Sequence, residues 1–425
     1  MRLPPGNRGL PWLGESMALL RNPFGFLEER RDRFGNVFRS KVLGREVAFL
    51  AGLEGAERFY DETIISRSDA HPYQLVDLFG GDNMEMFDGE RHLAMKRVAL
   101  TAFDETAIAG YLPDLQRLVE STLDRLAVLP RFSATRDLRR LAIEAICWNV
   151  MGIEPGPRSL AIVRDYDAVM TGLVSMPVPI PGTPYARARA ARDRLLALYR
   201  RLIAERRAKP GNDGLSRMLA YTDDEALLEI HHIVIAGFVV YALMAEVLRR
   251  LAEQPALRER CAAEVRERAP DGPIPLGALG RMETSVNVVR EAKRIVPLVP
   301  LAFGRALRPF TCEGYDVPEG WRVYLALHLN NHDPAIYADP GRFDPDRFAP
   351  GRAEQARHPL AFIPQGAEPP TGHRCLGLDY STALVLVFLT VLLRRYTWEL
   401  PPQDLIYDWS RLPPEPRDGL LVTLR

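Results

Sequence analysis

The chain has 425 residues, of which 47% are hydrophobic and 8% aromatic, enough to bury a large core, so a disordered chain is excluded. Lys plus Arg and Asp plus Glu both number 55, leaving no global field to draw the protein to nucleic acid or to an anionic membrane. No Gly/Ser linker, low-complexity tract or repeat divides the chain, so one domain over 1–425 is expected, with a hydrophobic small molecule as its partner.

In chain order, Met1 to Gly14 carries Pro4, Pro5, Gly6 and Pro11, where a signal peptide needs an apolar run. Pro23 to Arg33 reads as a short helix, and Val37 to Leu50 alternates around Gly44-Arg45 as a hairpin. From Glu90 to about Arg268 a helical period dominates. It is interrupted at Met176 to Gly182, where three prolines lack the amides a helix needs; this apolar loop reads either as packing or as the roof of a pocket. Thr222 and Glu225 form a capping-box pattern, and one long helix is expected from there to about Glu253. Its centre, Ile233 to Val240, is apolar all round and belongs in the middle of the molecule. Phe310 to Leu327 looks like small strands and turns, and the last helix is expected over Asp379 to Arg395.

The longest uncharged apolar run, Ala383 to Leu393, is shorter than the roughly 20 residues a bilayer requires. Cys147, Cys261, Cys312 and Cys375 lie far apart without metal-ligand spacing, as in a reducing compartment. The expectation is a cytoplasmic, monomeric protein with no membrane insertion. His328 and His332 share helical spacing but lack the Glu of a zinc motif. His231 and His232 precede the apolar centre of the long helix and are expected to serve packing or solvation, with one of them facing a pocket as the alternative.

Cys375 differs from the other cysteines. It ends a Gly/Pro-rich loop from Phe362 to Gly377, just before the last helix, and follows Arg374. Backbone amides, the helix dipole and the arginine should favour its thiolate, which is what an iron ligand needs, and the glycines let the backbone pass close to a flat cofactor.

Four separated motifs then resemble the cytochrome P450 superfamily, in the family's order and over nearly the whole chain. Ala236-Gly237 sits in the long helix, and Glu291-Ala292-Lys293-Arg294 gives an ExxR. Pro345-Asp346-Arg347-Phe348 looks like the PxRF element, and Gly372-His373-Arg374-Cys375-Leu376-Gly377 looks like the cysteine loop. The resemblance implies a mainly helical fold around haem b with a small β region, Cys375 as axial iron ligand, and a structural ion cluster of Glu291, Arg294 and Arg347. It also implies propionate partners at His92, Lys96 (where the family usually has Arg), Arg305 and His373. Ala236, Gly237, Val239 and Val240 would line the distal side. Substrate walls are expected at Leu75 to Met86, Val174 to Pro181 and Val296 to Leu301.

The implied activity is oxidation, by hydroxylation, of a hydrophobic metabolite, with electrons from ferredoxin and its reductase or with hydrogen peroxide as oxidant. The chain departs from the family where most monooxygenases of this type carry an acid and an alcohol: Val239 and Val240 stand there, and neither can donate a proton. Four consequences stay open: a peroxide-driven peroxygenase, proton relay by the substrate, a rearrangement without dioxygen, and ordinary monooxygenation through another water chain. The N-terminal part is similar to retinoid-hydroxylase-like members and the cysteine loop to bacterial fatty-acid peroxygenases, although no Arg-Pro clamp accompanies it. A haem-binding sensor or carrier without oxygenase activity is the alternative of another class, and a cysteine hydrolase a weaker one.

Overall fold

The computed structural model describes residues 1–296, 298–367, 372–408 and 411–425. Helices carry the larger part of the chain, and the sheets are small.

The hairpin forms as the alternation indicates, Val37–Val42 against Arg45–Leu50 with Val37 opposite Leu50. It extends through a parallel pairing to Arg322–Ala326, then antiparallel to Leu301–Ala306 and to the short strand Ile65–Ser66. Chain segments more than two hundred residues apart therefore meet in one five-stranded sheet. The short helix is found at Pro23–Phe34, with Asn22 accepting from the Gly25 amide at its start.

The main core is helical. Ala134–Met151 buries nearly every side chain it has, and Leu378–Arg395 is buried from Tyr380 to Leu392 except at Thr382. The capping box at Thr222 is present in both directions: the Thr222 hydroxyl accepts from the Glu225 amide at 3.3 Å, and Glu225 accepts from the Thr222 amide at 2.9 Å.

The long helix beginning there is not continuous. It runs from Asp223 to Phe238, breaks at Val239, and resumes from Val240 to Glu253. At the break the Ala242 amide bonds to the Val239 carbonyl at 3.1 Å, a tighter turn than the α-helical one. The β-branched pair Val239-Val240, directly after Gly237 and Phe238, crowds the preceding turn and gives a local reason for it. The combined helix is long and apolar enough to cross a membrane by length and composition, but 83% of its most apolar window is buried inside the protein.

Candidate active site

Cys375 lies three residues before the last helix, in a loop whose two limbs are pinned together. Its amide donates to the Gln365 carbonyl at 2.9 Å, and the Gln365 side-chain amide lies 3.9 Å from its sulfur. Gly366 makes that approach possible: at φ +84° it occupies the left-handed region, and a Cβ there would come within 2.5 Å of the His373 carbonyl oxygen. Lys96 completes the fastening from the Gly89–Leu100 helix, its ammonium donating to the carbonyls of Gly372 and, at 2.6 Å, Arg374. Burial pushes this lysine down to about 8.

One expectation about Cys375 is corrected. Burial raises its thiol, and the Gly377 amide, Lys293 and Lys96 only partly offset that. The start of the last helix and nearby cations therefore do not make the thiolate by themselves. A metal ion held there would do so, by binding the deprotonated sulfur. The other cysteines, all buried, are raised by burial too, Cys261 and Cys312 to about 12, as expected of inert packed thiols.

Above Cys375 opens a cavity of about 390 Å³. Cys375, Leu376 and Gly377 contribute to its floor side, and the split helix contributes His232, Ile233, Ile235, Ala236, Gly237, Val239 and Val240. Ala236 is exposed in the middle of a core helix because its methyl faces this space. Gly237 lines the cavity with its backbone while its missing side chain serves packing: a Cβ there would come within 2.2 Å of Ile146 on the Ala134–Met151 helix.

Two of the three expected wall segments are in place. Leu75, Phe79, Met84 and Glu85 come from the first, and Leu298 to Leu301 from the last, within which Pro297 lies outside the described residues. The loop Val174 to Pro181 is not among the lining residues. Met170 and Leu173 of the helix before it reach the cavity instead, and Val178 and Ile180 point outward at 39% and 60% exposure.

The expected propionate partners divide. His92, Lys96 and His373 all line the cavity, with the two imidazoles stacked at 4.0 Å. Arg305 is not among the lining residues: it sits opposite Ser66 in the sheet register, and its guanidinium turns to the Ser68 carbonyl at 3.4 Å. Arg67, which sequence reasoning did not single out, takes that wall. It lies over the Phe59 ring at 3.9 Å and donates to the Phe303 carbonyl at 3.0 Å. The only clue to it was a cationic residue beside the strand that pairs with Leu301–Ala306.

The ion cluster forms with near-ideal geometry. Glu291 accepts two bonds from Arg294, at 2.7 and 2.8 Å, and one from Arg347 at 3.0 Å, all at 0% exposure. A further member, Glu354, accepts from Arg347 at 2.6 Å. The remaining guanidinium hydrogens go to the carbonyls of Asn331, Ala338 and Arg342. Each buried charge is thus paired and hydrogen-bonded.

His328 and His332 make no metal site: the first meets Glu28 at 2.7 Å, the second bonds to the His328 carbonyl at 3.0 Å, and no metal-binding group occurs among the described residues. His231 is buried against the Leu78 carbonyl at 2.9 Å. His232 is the histidine that faces the cavity.

The description cytochrome P450 matches residues 4–415 of the sequence. The chain belongs to the cytochrome P450 family. Putative cytochrome P450 120 of Synechocystis sp. is 27% identical, the match covering 99% of this chain and 96% of its own. The solved structure of retinoic acid bound cyanobacterial CYP120A1 is 26% identical and superposes with a TM-score of 0.92 over 100% of this chain and 99% of that one. That of CYP152N1 with myristic acid is 25% identical with a TM-score of 0.81 over 100% and 99%. The chain is accordingly a haem-thiolate oxidoreductase of the monooxygenase or peroxygenase type, with haem b as its cofactor and a small molecule as its substrate.

The residues present fit that cofactor. A sulfur stands at the cavity floor and apolar side chains form its roof. Along one side Arg67, His92, Lys96, His373 and Arg374 gather, as the two carboxylates of a propionate-bearing macrocycle require. His373 Nε2 is buried without a hydrogen-bond partner, its nearest carboxylate, Asp88, being 3.9 Å away.

Proposed function

We propose that Cys375 is the axial ligand of haem b and that the cavity above it is where a hydrophobic metabolite is hydroxylated. The observation that carries this reading is the apolar cavity with one cysteine on its floor. When bound, the haem-thiolate iron supplies the oxidising power, the thiolate pushing electron density towards the metal to promote O–O cleavage.

The chain's own residues do the rest. His92, Lys96, Arg67, His373 and Arg374 hold the propionate edge, and Lys96 also locks the cysteine loop through two carbonyls. Ala236, Gly237, Val239 and Val240 form an apolar distal surface that positions substrate and excludes water but moves no proton. Glu291, Arg294, Arg347 and Glu354 brace the fold around the Glu283–Ile295 helix. Arg305 stands outside this set. The proposal carries with it a single domain over 1–425 and a cytoplasmic monomer. Its reduced cysteines are what the redox poise of that compartment maintains.

Val239 and Val240 favour peroxide as the oxidant, since peroxide brings its own electrons and protons; ferredoxin with its reductase is the competing source. The test is paired turnover on an apolar metabolite library, hydrogen peroxide alone in one arm and the NADPH-driven ferredoxin chain in the other, scored by product mass. A red-shifted Soret band of the reduced carbon-monoxide complex is expected, with an oxygenated product in the peroxide arm. Tight ligand binding without product in either arm overturns the enzymatic reading in favour of a sensor or carrier.

A further inference from the structure

The upper walls of the cavity are apolar except at one corner. Among the described residues that segments 75–86, 232–240 and 298–303 bring to it, only Glu85 and His232 are polar. Glu85 projects from the turn Met84–Met86, which Asn83 caps through the Glu85 amide at 3.0 Å. About half of its side-chain surface, 49%, is open, and the space it opens onto is the cavity.

The neighbours of this carboxylate are loosely held. His232 Nε2 stands 3.5 Å from one oxygen and His71 Nε2 3.8 Å from the other, longer than a good hydrogen bond. His232 turns its other ring nitrogen to Glu229 at 3.3 Å, and Glu229 is anchored by the Met84 amide at 2.5 Å. Burial would lower His232, but the Glu229 and Glu85 carboxylates outweigh it and raise it to about 10, so both its ring nitrogens carry hydrogens near neutrality. Both are aimed at carboxylates.

The corner therefore has two carboxyl groups around one imidazolium whose two ring hydrogens both face carboxylates, and Arg67, on the adjoining wall of the cavity, is the further cation that acts on Glu85. What it can still offer a ligand is acceptor capacity on the Glu85 oxygens, which have lone pairs to spare. At the Glu85 oxygens themselves a ligand carboxylate would meet like charge, and an ether or ketone oxygen would face an acceptor and not a donor. Burying such an oxygen unpaired costs free energy, whereas a hydroxyl regains its bond.

We infer that the cavity is built for an apolar molecule carrying a hydroxyl group, seated with its O–H donating to Glu85, and that it discriminates against the corresponding acid. This deepens the reading of the cavity as the substrate site and rests on it. No covalent step is involved: Glu85 and the histidines position the molecule, and that placement selects which carbon lies over the cavity floor.

The test uses the haem-loaded protein and three probes of one skeleton, farnesol, farnesyl methyl ether and farnesoic acid. Kd is read from the ligand-induced Soret shift and independently by titration calorimetry. Farnesol is expected to bind at least about tenfold more tightly than either of the others, the amount one charge-assisted hydrogen bond supplies. In Glu85→Gln, whose amide brings a donor of its own, the alcohol-to-ether ratio is expected to fall within about threefold. Equal binding of alcohol and ether by the unaltered protein, or tightest binding of the acid through Arg67, overturns the inference while leaving the cavity as substrate site. Failure of all three to bind, with the carbon-monoxide spectrum intact, overturns both. The comparison on the unaltered protein decides the matter even if the variant fails to fold.

Discussion

At the residue scale, two groups that line the cavity show how environment decides chemistry. Cys375 sits where amides and cations pull its thiol down, yet burial wins and raises it, so on the proposed reading its thiolate would depend on the metal it holds. Cys375→Ser keeps the cradle of Lys96, Gly366 and Gln365 around the loop. It is expected to take up haem more weakly and to lose the red-shifted carbon-monoxide band, as absorption spectra of the reduced protein will show. His232 shows the opposite balance, its folded value of about 10 lying above the ordinary 6.5. Its contribution to stability is fully present below about pH 6.5 and is lost progressively as the pH rises towards about 10. Glu85 is pushed up by burial but held well below its ordinary value by His232 and His71, so its share is lost only in acid. Thermal unfolding between about pH 7 and pH 10 should thus cost the unaltered protein about 3 °C more in midpoint than His232→Gln. Parallel pH dependence in the two proteins would count against the ion pairs. That His232 rather than His231 faces the cavity could not be read from two adjacent histidines on a helix apolar all round. The corner it forms with Glu85 depends on a turn far earlier in the chain reaching the long helix.

At the scale of elements, contacts within one helix or one motif were legible, while contacts across the fold were not. The ExxR spacing places Glu291 and Arg294 one turn apart on the same face, and their bidentate pairing follows from it. Glu354 joins them from a short turn that carries no pattern. Removing one partner from this cluster leaves a buried charge uncompensated, so Arg347→Ala is expected to cost about 3–5 kcal/mol and to weaken haem retention, measured by urea unfolding and by spectral titration. The long helix shows a second limit. Its apolar centre and capping box were readable, but the break at Val239 depends on crowding at β-branched side chains, which hydrophobic period does not report. Gly237, read as a distal-surface residue, also has a packing role, because Ile146 fills the space a side chain would occupy. Gly237→Ala should therefore destabilise by about 1–3 kcal/mol, as overpacking does. Pairing it with Ile146→Ala should recover much of that loss in the same unfolding experiment. No recovery would mean that backbone conformation, and not the contact with Ile146, is what the glycine serves.

At the scale of the whole molecule, the cavity is the meeting place of parts that are stable for different reasons. The helices Ala134–Met151 and Leu378–Arg395 bury apolar side chains along most of their length, and that contribution does not depend on a cofactor. The side wall is different: Arg67, Lys96, His92 and His373 bring polar and cationic groups into a buried place where Glu85 and Asp88 offset their charge only in part, and Arg67 and Lys96 are both pushed down by burial. Such an arrangement is tolerable when an anionic group completes it and costly when none does. The misread loop Val174 to Pro181 belongs to the same lesson, since apolar composition cannot distinguish a cavity wall from an outward-facing hydrophobic segment. Extraction of haem should therefore loosen the molecule unevenly. At haem concentrations about a thousandfold above Kd, cofactor binding contributes roughly 4 kcal/mol, so the extracted protein should unfold at a distinctly lower temperature. Hydrogen exchange should accelerate in the segment from Gly372 to Gly377, in the Gly89–Leu100 helix that fastens it, and around Arg67, while the amides of Ala134–Met151 and of Leu384 to Leu392 stay protected. Added chloride or phosphate should partly restore protection at the side wall, because a small anion supplies the missing charge without filling the cavity. Uniform exchange across the whole chain after extraction would instead mean that the helical core itself needs the cofactor to form.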